Sequence, residues 1–247
     1  MSRNFELLAQ VEQVLGPAIS EVPRTDADAE QQRATTAAVV SDLDGIGREE
    51  MRRLVQQVFL SANGSAPHRV VFCGVDNAAG SSATCGRTAR LLAAQTSRPV
   101  CIVDINHLSR SATGLFETAP STFSFASGMS LREQCQKIAE NLWLAPASAL
   151  EADSGSASVA DLRERLEALR REFDFVLVDA PPAAVYSQTA LAGQAADGIV
   201  LVLEANSTRR IAAKKTKETL ESSNVRVLGT VLNNRTFPVP EKLYRRL

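Results

Sequence analysis

Apolar residues recur along this chain in two rhythms. The first is the short uninterrupted run, seen at Val70–Val75, Pro99–Ile105, Phe173–Asp179, Gly198–Glu204 and Val225–Leu232. Runs of this length, rich in Val, Ile and Leu, suit strands buried on both faces. The second is a spacing of three or four, which predicts helices over 82–96, 159–172, 187–195 and 208–222. Strand and helix alternate, so the expected architecture is α/β, a mostly parallel central sheet with helices on both faces. A further helix is expected over Gly47–Leu60, closed by a Ser-Ala-Asn-Gly-Ser-Ala-Pro turn. Upstream, Phe5, Leu8, Val11 and Leu15 mark an amphipathic helix over 1–16. Residues 17–46, richer in Pro, Asp, Thr and Ala, read as a poorly structured connection. The chain therefore divides into an N-terminal helix with a flexible connection, 1–46, and a main domain, 47–247.

Bulk numbers narrow the function without naming it. The 247 residues are 45% apolar, enough for a substantial core. A net charge of −1 provides no overall attraction to nucleic acid or to an anionic membrane, and no nucleic-acid partner is expected. The charge is uneven: eight acids face three arginines from Glu21 to Glu50, and ten Lys/Arg face three Glu from Asn206 to Leu247. Solvated helix faces are the plainer reading of that asymmetry, ahead of docking between like subunits. The four cysteines form no C-x-x-C pair, and His68 and His107 add no ligand spacing, which argues against zinc. Cys73 and Cys101 sit within apolar runs, where a reduced, buried thiol is the default, as in a cytoplasmic protein. No run is long enough for a membrane span, and there is no signal-peptide hydrophobic region, so any membrane link is expected through a partner.

The candidate chemistry begins after the first strand, at Gly74-Val-Asp-Asn-Ala-Ala-Gly-Ser-Ser-Ala-Thr84. A phosphate loop needs a backbone that cradles phosphates, a lysine for the β/γ charge and a Ser/Thr hydroxyl for magnesium. Gly80 fits the last glycine and Ser82 the hydroxyl, with Ala83 beside it. The lysine position is Ser81. Downstream, Val100-Cys-Ile-Val-Asp104 and Phe173-Asp-Phe-Val-Leu-Val-Asp179 are apolar strands that end in an acid. Ligands bind at the carboxyl ends of parallel strands, where such acids hold magnesium or orient a nucleophile. Taken singly, either Asp reads as a turn residue or a cap.

Together these residues resemble the bacterial tyrosine autokinases of capsule and exopolysaccharide synthesis, in the deviant P-loop group that also holds the partition and cell-division ATPases. The resemblance covers about 47–247. It is most specific at Phe-Asp-Phe-Val-Leu-Val-Asp-Ala-Pro-Pro182, Ala196-Asp-Gly-Ile-Val-Leu-Val, Thr208-Arg-Arg and Val227-Leu-Gly-Thr-Val-Leu-Asn233. Asn141-Leu-Trp-Leu-Ala-Pro is similar to the strand before the family's variable loop. The resemblance implies a P-loop NTPase fold with ATP or ADP and Mg as cofactors. It makes Asp104 and Asp179 the catalytic and magnesium-holding acids, with Ser82 on the metal. Gly80, Ser81, Ser82 and Ala83 become the nucleotide loop, and Asn233 the residue that approaches the base. Glu49 and Arg52 match the first two positions of the family's Glu-x-x-Arg-x-x-Arg oligomer-contact helix, but Val55 replaces the last arginine.

Three departures shape the functional expectation. The lysine is absent. Asn106 stands where a second Asp is common. The tyrosine-rich tail is missing, leaving Tyr186 and Tyr244, of which Tyr244 is the candidate phosphoacceptor. The implied role is a pseudokinase, a regulatory module of exopolysaccharide synthesis or export. Its expected partners are an inner-membrane chain-length regulator, an intact kinase paralogue or further copies of itself. A weakly active autokinase and a partition-type adaptor are the alternatives.

Overall fold

In the computed structural model, the described residues are 45–60, 66–77, 79–106, 124, 129–150 and 158–234, all within the unit Thr36–Leu247. The expected helix over 1–16, residues 17–44 of the connection, and Tyr244 lie outside them. Helix α1 spans Gly45–Phe59, β1 Arg69–Gly74, α2 Ser81–Thr96 and β2 Val100–Asp104. Then come β3 (Gln136–Ala139), β4 (Leu142–Ala145), a 3-10 turn (Ala147–Ala149), α3 (Val159–Glu172) and β5 (Phe175–Asp179). The described part ends with α4 (Ser187–Ala195), β6 (Gly198–Glu204), α5 (Arg210–Ser222) and β7 (Val227–Asn233).

The strands form one sheet in the order β3-β4-β2-β5-β1-β6-β7. Every neighbouring pair is parallel except β3 and β4. The runs β1, β2 and β5 are buried almost throughout, as strands covered on both faces must be. One face carries Val70, Phe72, Val100, Ile102, Phe175 and Leu177 against Cys85, Ala89 and Leu92 of α2, with Val55 and Phe59 of α1. The other carries Val71, Cys101, Val176, Ile199 and Leu201 against Leu162, Leu166 and Leu169 of α3 and Ala192 of α4. The expected α/β architecture is what the chain adopts.

Local chemistry accounts for the element boundaries. Helix α3 starts at a capping box: Ser158 Oγ accepts from the Asp161 N–H at 3.2 Å, and Asp161 Oδ2 accepts from the Ser158 N–H at 3.0 Å. Its Leu162, Leu166 and Leu169 then repeat on one helical face. Strand β3 is absent from the sequence expectation because Gln136–Ala139 has no apolar run. It is an antiparallel edge strand, mostly exposed, where no hydrophobic pattern is required. All four cysteines are free and buried, as expected of Cys73 and Cys101.

Candidate functional site

The crevice follows from topology. Strand β1 leaves through α2 on one face and runs to β2, beyond β5. Its neighbour β5 leaves through α4 on the other face and runs to β6, beyond β1. Chain departing in opposite directions from adjacent parallel strands opens a crevice at their carboxyl ends.

The loop between β1 and α2 lines this crevice and is held from several sides. Gly80 has φ +70°, a left-handed conformation that glycine adopts without steric cost. A Cβ there would lie 2.3 Å from Asn233 Nδ2, so glycine also makes room for that amide. Asn233 Nδ2 donates to the Ala79 carbonyl at 3.1 Å. Thr208 Oγ1 donates to Asp76 Oδ2 at 3.2 Å and accepts from the Glu204 N–H at 2.9 Å. The loop is thus braced by the ends of β6 and β7. Helix α2 begins with no side-chain cap, so the N–H groups of its first turn remain available to an anion.

Three expected side chains meet here. Asp104 and Asp179 are register partners on β2 and β5, so their carboxylates leave neighbouring strands side by side. Both are buried, Asp179 with 0% exposure. Ser82, buried in the first turn of α2, joins them through Asn106: Asn106 Nδ2 donates to Ser82 Oγ at 3.3 Å, and the Asn106 N–H donates to Asp104 Oδ1 at 2.9 Å. Neither oxygen of Asp179 has a hydrogen-bond partner, and neither does Asn106 Oδ1. Burial pushes the Asp179 carboxyl well above its ordinary range. The nearby Ser82 hydroxyl opposes that shift, and the Asp104 charge adds to it. No cationic group figures among these influences.

The other expected residues fall into place unevenly. Ser81 occupies the lysine position, buried at the start of α2, and Ala83 follows half-buried. Asn233 reaches the loop backbone. Glu49 and Arg52 pair with each other at 3.5 Å on the exposed side of α1. Helix α1 meets α2 at Met51 and Thr88, about two turns beyond Ser82, so this pair stays apart from the cluster. Arg87 and Arg90, further along α2, are both lowered from their usual range by burial. Asn106 is the participant the sequence reading noted only as a departure. A residue two places beyond the strand-terminal Asp104 was the available signal. A separate cavity of about 320 Å³ lies at the ends of β6 and β7, lined by Leu203, Glu204, Thr208, Arg210 and Leu232 among others. Neither Asp104 nor Asp179 lines it.

The magnesium half of the implied cofactor fits this site. Two carboxylates and a hydroxyl are hard oxygen donors, and three buried oxygen atoms stand without partners. The triphosphate half fits less well, because Ser81 offers no positive charge. Among the described residues there is no cluster of three or more His, Cys, Asp or Glu.

Comparisons with known proteins agree with this fold. The family model described as "ATPase MipZ" matches residues 68–207, more than half of the chain. "Tyrosine-protein kinase CpsD" of Streptococcus agalactiae is 35% identical over 74 residues, 30% of this chain and 32% of that protein. The chain thus spans about a third of that relative's length. Among solved structures, the chimerical protein CapA2B2 superposes with a TM-score of 0.67 at 20% identity, covering 86% of this chain and 100% of that one. The kinase domain of Escherichia coli tyrosine kinase ETK superposes at 0.62 and 17% identity, covering 78% and 79%. At these identities the structural likeness establishes the shared α/β fold.

Proposed function

This chain belongs to the ATPase MipZ family and is a relative of the bacterial tyrosine kinases, and from that premise we propose that it is a catalytically silent, kinase-like regulatory module of exopolysaccharide synthesis or export. One observation carries the reading. Ser81, not lysine, follows Gly80 at the centre of the braced loop, and no cation among the described residues acts on the buried Asp179. Phosphoryl transfer depends on positioning and on stabilising charge at the transferred group. A charge-assisted hydrogen bond contributes about 1.5–3 kcal/mol. Its loss weakens triphosphate binding roughly ten- to hundredfold, and the rate falls further where charge develops.

What such a module retains is its fold and its surface. The loop keeps its shape through Asn233 and Thr208, so a partner can recognise the domain without nucleotide. The partners that suit this role are an inner-membrane chain-length regulator or an intact kinase paralogue, which would also bring it to the membrane periphery. No described helix is long and apolar enough to cross a membrane.

Titration calorimetry tests the proposal. Wild-type protein with Mg-ATP should show little heat, and micromolar affinity would overturn the silent reading. Ser81→Lys should raise affinity for Mg-ATP about tenfold or more, because the loop that would present the ammonium is already in place. A second reading, a weakly active tyrosine autokinase, is favoured by the convergence of Asp104, Asp179 and Ser82. Its mark would be phosphotyrosine formed by the purified chain with Mg-ATP.

A further inference from the structure

This inference goes beyond the reading above and does not depend on whether triphosphate is held. We propose that the outer face of α5, around Ile211, Lys214 and Lys215, docks directly on an anionic lipid surface.

The first support is charge. The overall value of −1 conceals a local concentration. Between Ala205 and Lys217 there are five cations, Arg209, Arg210, Lys214, Lys215 and Lys217, and no acid. All five are exposed. Glu218 and Glu221 follow, and pair with Lys214 at 3.6 Å and Lys217 at 3.3 Å. Exposed pairs of this kind are weak and leave the face positive. Among the described residues, Arg209, Arg210 and Lys215 form no ion pair.

The second support is position on the helix. The fully buried side chains of α5 are Thr216 and Leu220. On the opposite side Lys214 and Lys215, three and four residues on, flank Ile211. Ile211 is 83% exposed, the most exposed large apolar side chain among the described residues. A single aliphatic tip is too little to hold a membrane by itself, so the cations must supply the rest. In that arrangement the tip enters the acyl boundary while the cations meet headgroup phosphates.

The same composition disfavours other anionic partners. Protein interfaces are depleted of lysine and anchored by aromatic residues. This helix has three lysines and no aromatic. A nucleic-acid backbone rewards the cations but not the isoleucine. Arg209 directly follows Thr208, whose hydroxyl holds Asp76 of the loop after β1. Docking here therefore brings the carboxyl-terminal edge of the sheet close to the bilayer.

Co-sedimentation of the nucleotide-free full-length chain with vesicles tests the proposal. The chain should bind vesicles of phosphatidylglycerol mixed with phosphatidylcholine, but not phosphatidylcholine alone, and binding should weaken as salt rises. Each basic residue near an anionic surface strengthens attachment about fivefold, so Lys215→Glu, which also adds a negative charge, should weaken it at least about tenfold. Arg171→Glu is an equal change of charge at the exposed end of α3, at the opposite edge of the sheet, and should alter it less than about twofold. Ile211→Ser should weaken binding severalfold and leave its salt dependence unchanged. Melting curves without lipid establish that the variants are folded. No binding to anionic vesicles, or binding indifferent to Lys215→Glu or to Ile211→Ser, would overturn the proposal. Capture of duplex DNA or polyglutamate, lost in Lys215→Glu, without binding to vesicles would overturn it too. Calorimetry with Mg-ATP reads the silent proposal separately, so either can fail alone.

Discussion

Two aspartates at opposite ends of the sheet show how the same side chain serves different ends. Asp197 sits at the amino-terminal edge, just before β6. Its Oδ2 accepts from the His68 N–H at 2.8 Å and the Arg69 N–H at 2.9 Å, and its Oδ1 from Arg69 Nε at 3.2 Å and Nη2 at 2.6 Å. Arg69 reaches on to Glu167 of α3. Asp179, at the carboxyl-terminal edge, is more deeply buried, and among the described residues its oxygens make no hydrogen bond of good geometry, with only the nearby Ser82 hydroxyl favouring its charged form. Burial alone would raise Asp197, yet the Arg69 and His68 donors and the Arg69 charge hold it below the usual carboxylate range. Burial raises Asp179, and no cation among the described residues offsets it. The first acid ties the bases of β1 and β6 together. The second costs stability, because a buried carboxylate without a charged partner is disfavoured.

The comparison breaks most visibly if Arg69 is removed. Arg69→Ala leaves Asp197 half-buried without its fork and should cost about 2–3 kcal/mol in urea unfolding. Asp179→Asn should act in the opposite direction. In metal-free buffer the neutral amide should stabilise the fold by about 1–2 kcal/mol, because an unpaired buried carboxylate no longer has to be kept out of water. A loss of stability there would mean that Asp179 is paired in solution.

The smallest effect concerns pH. Asp197 has a folded pKa below its unfolded value, which lies near 3.9. Its contribution is therefore complete above that value and is lost as pH falls through the folded pKa. Wild-type protein should lose more stability between about pH 5 and pH 3 than Arg69→Ala does. Asp179 has the reverse sign: its raised folded pKa means that its penalty is relieved as pH falls through that pKa. In Asp179→Asn that relief should disappear.

Much of this molecule was legible before any coordinates. Strand β6 and helices α3 and α4 fall where their apolar patterns end, and the other matched elements shift by one or two residues. Strands buried on two faces leave a continuous apolar run, and amphipathic helices leave a period. Strand β3 was not legible, because a polar edge strand is held by hydrogen bonds to β4 and leaves no pattern. At the candidate site, Gly80, Ser82, Asp104 and Asp179 were singled out from their positions at element ends. Asn106 as a link between Ser82 and Asp104, and Asn233 as a brace on Ala79, were not. These are contacts across 24 and 154 residues, made by side chains whose local sequence carries no sign of them.

Sequence alone determined the alternation of strands and helices, the two acids at strand ends and the serine in place of lysine, because each is written in neighbouring residues. Only the tertiary structure decided that Asp104 and Asp179 stand in register, that Asp197 is satisfied and that Asp179 is not. The physical reason is that strand order and burial bring distant segments together. Whether an acid finds a donor depends on that arrangement, while its presence depends only on the chain.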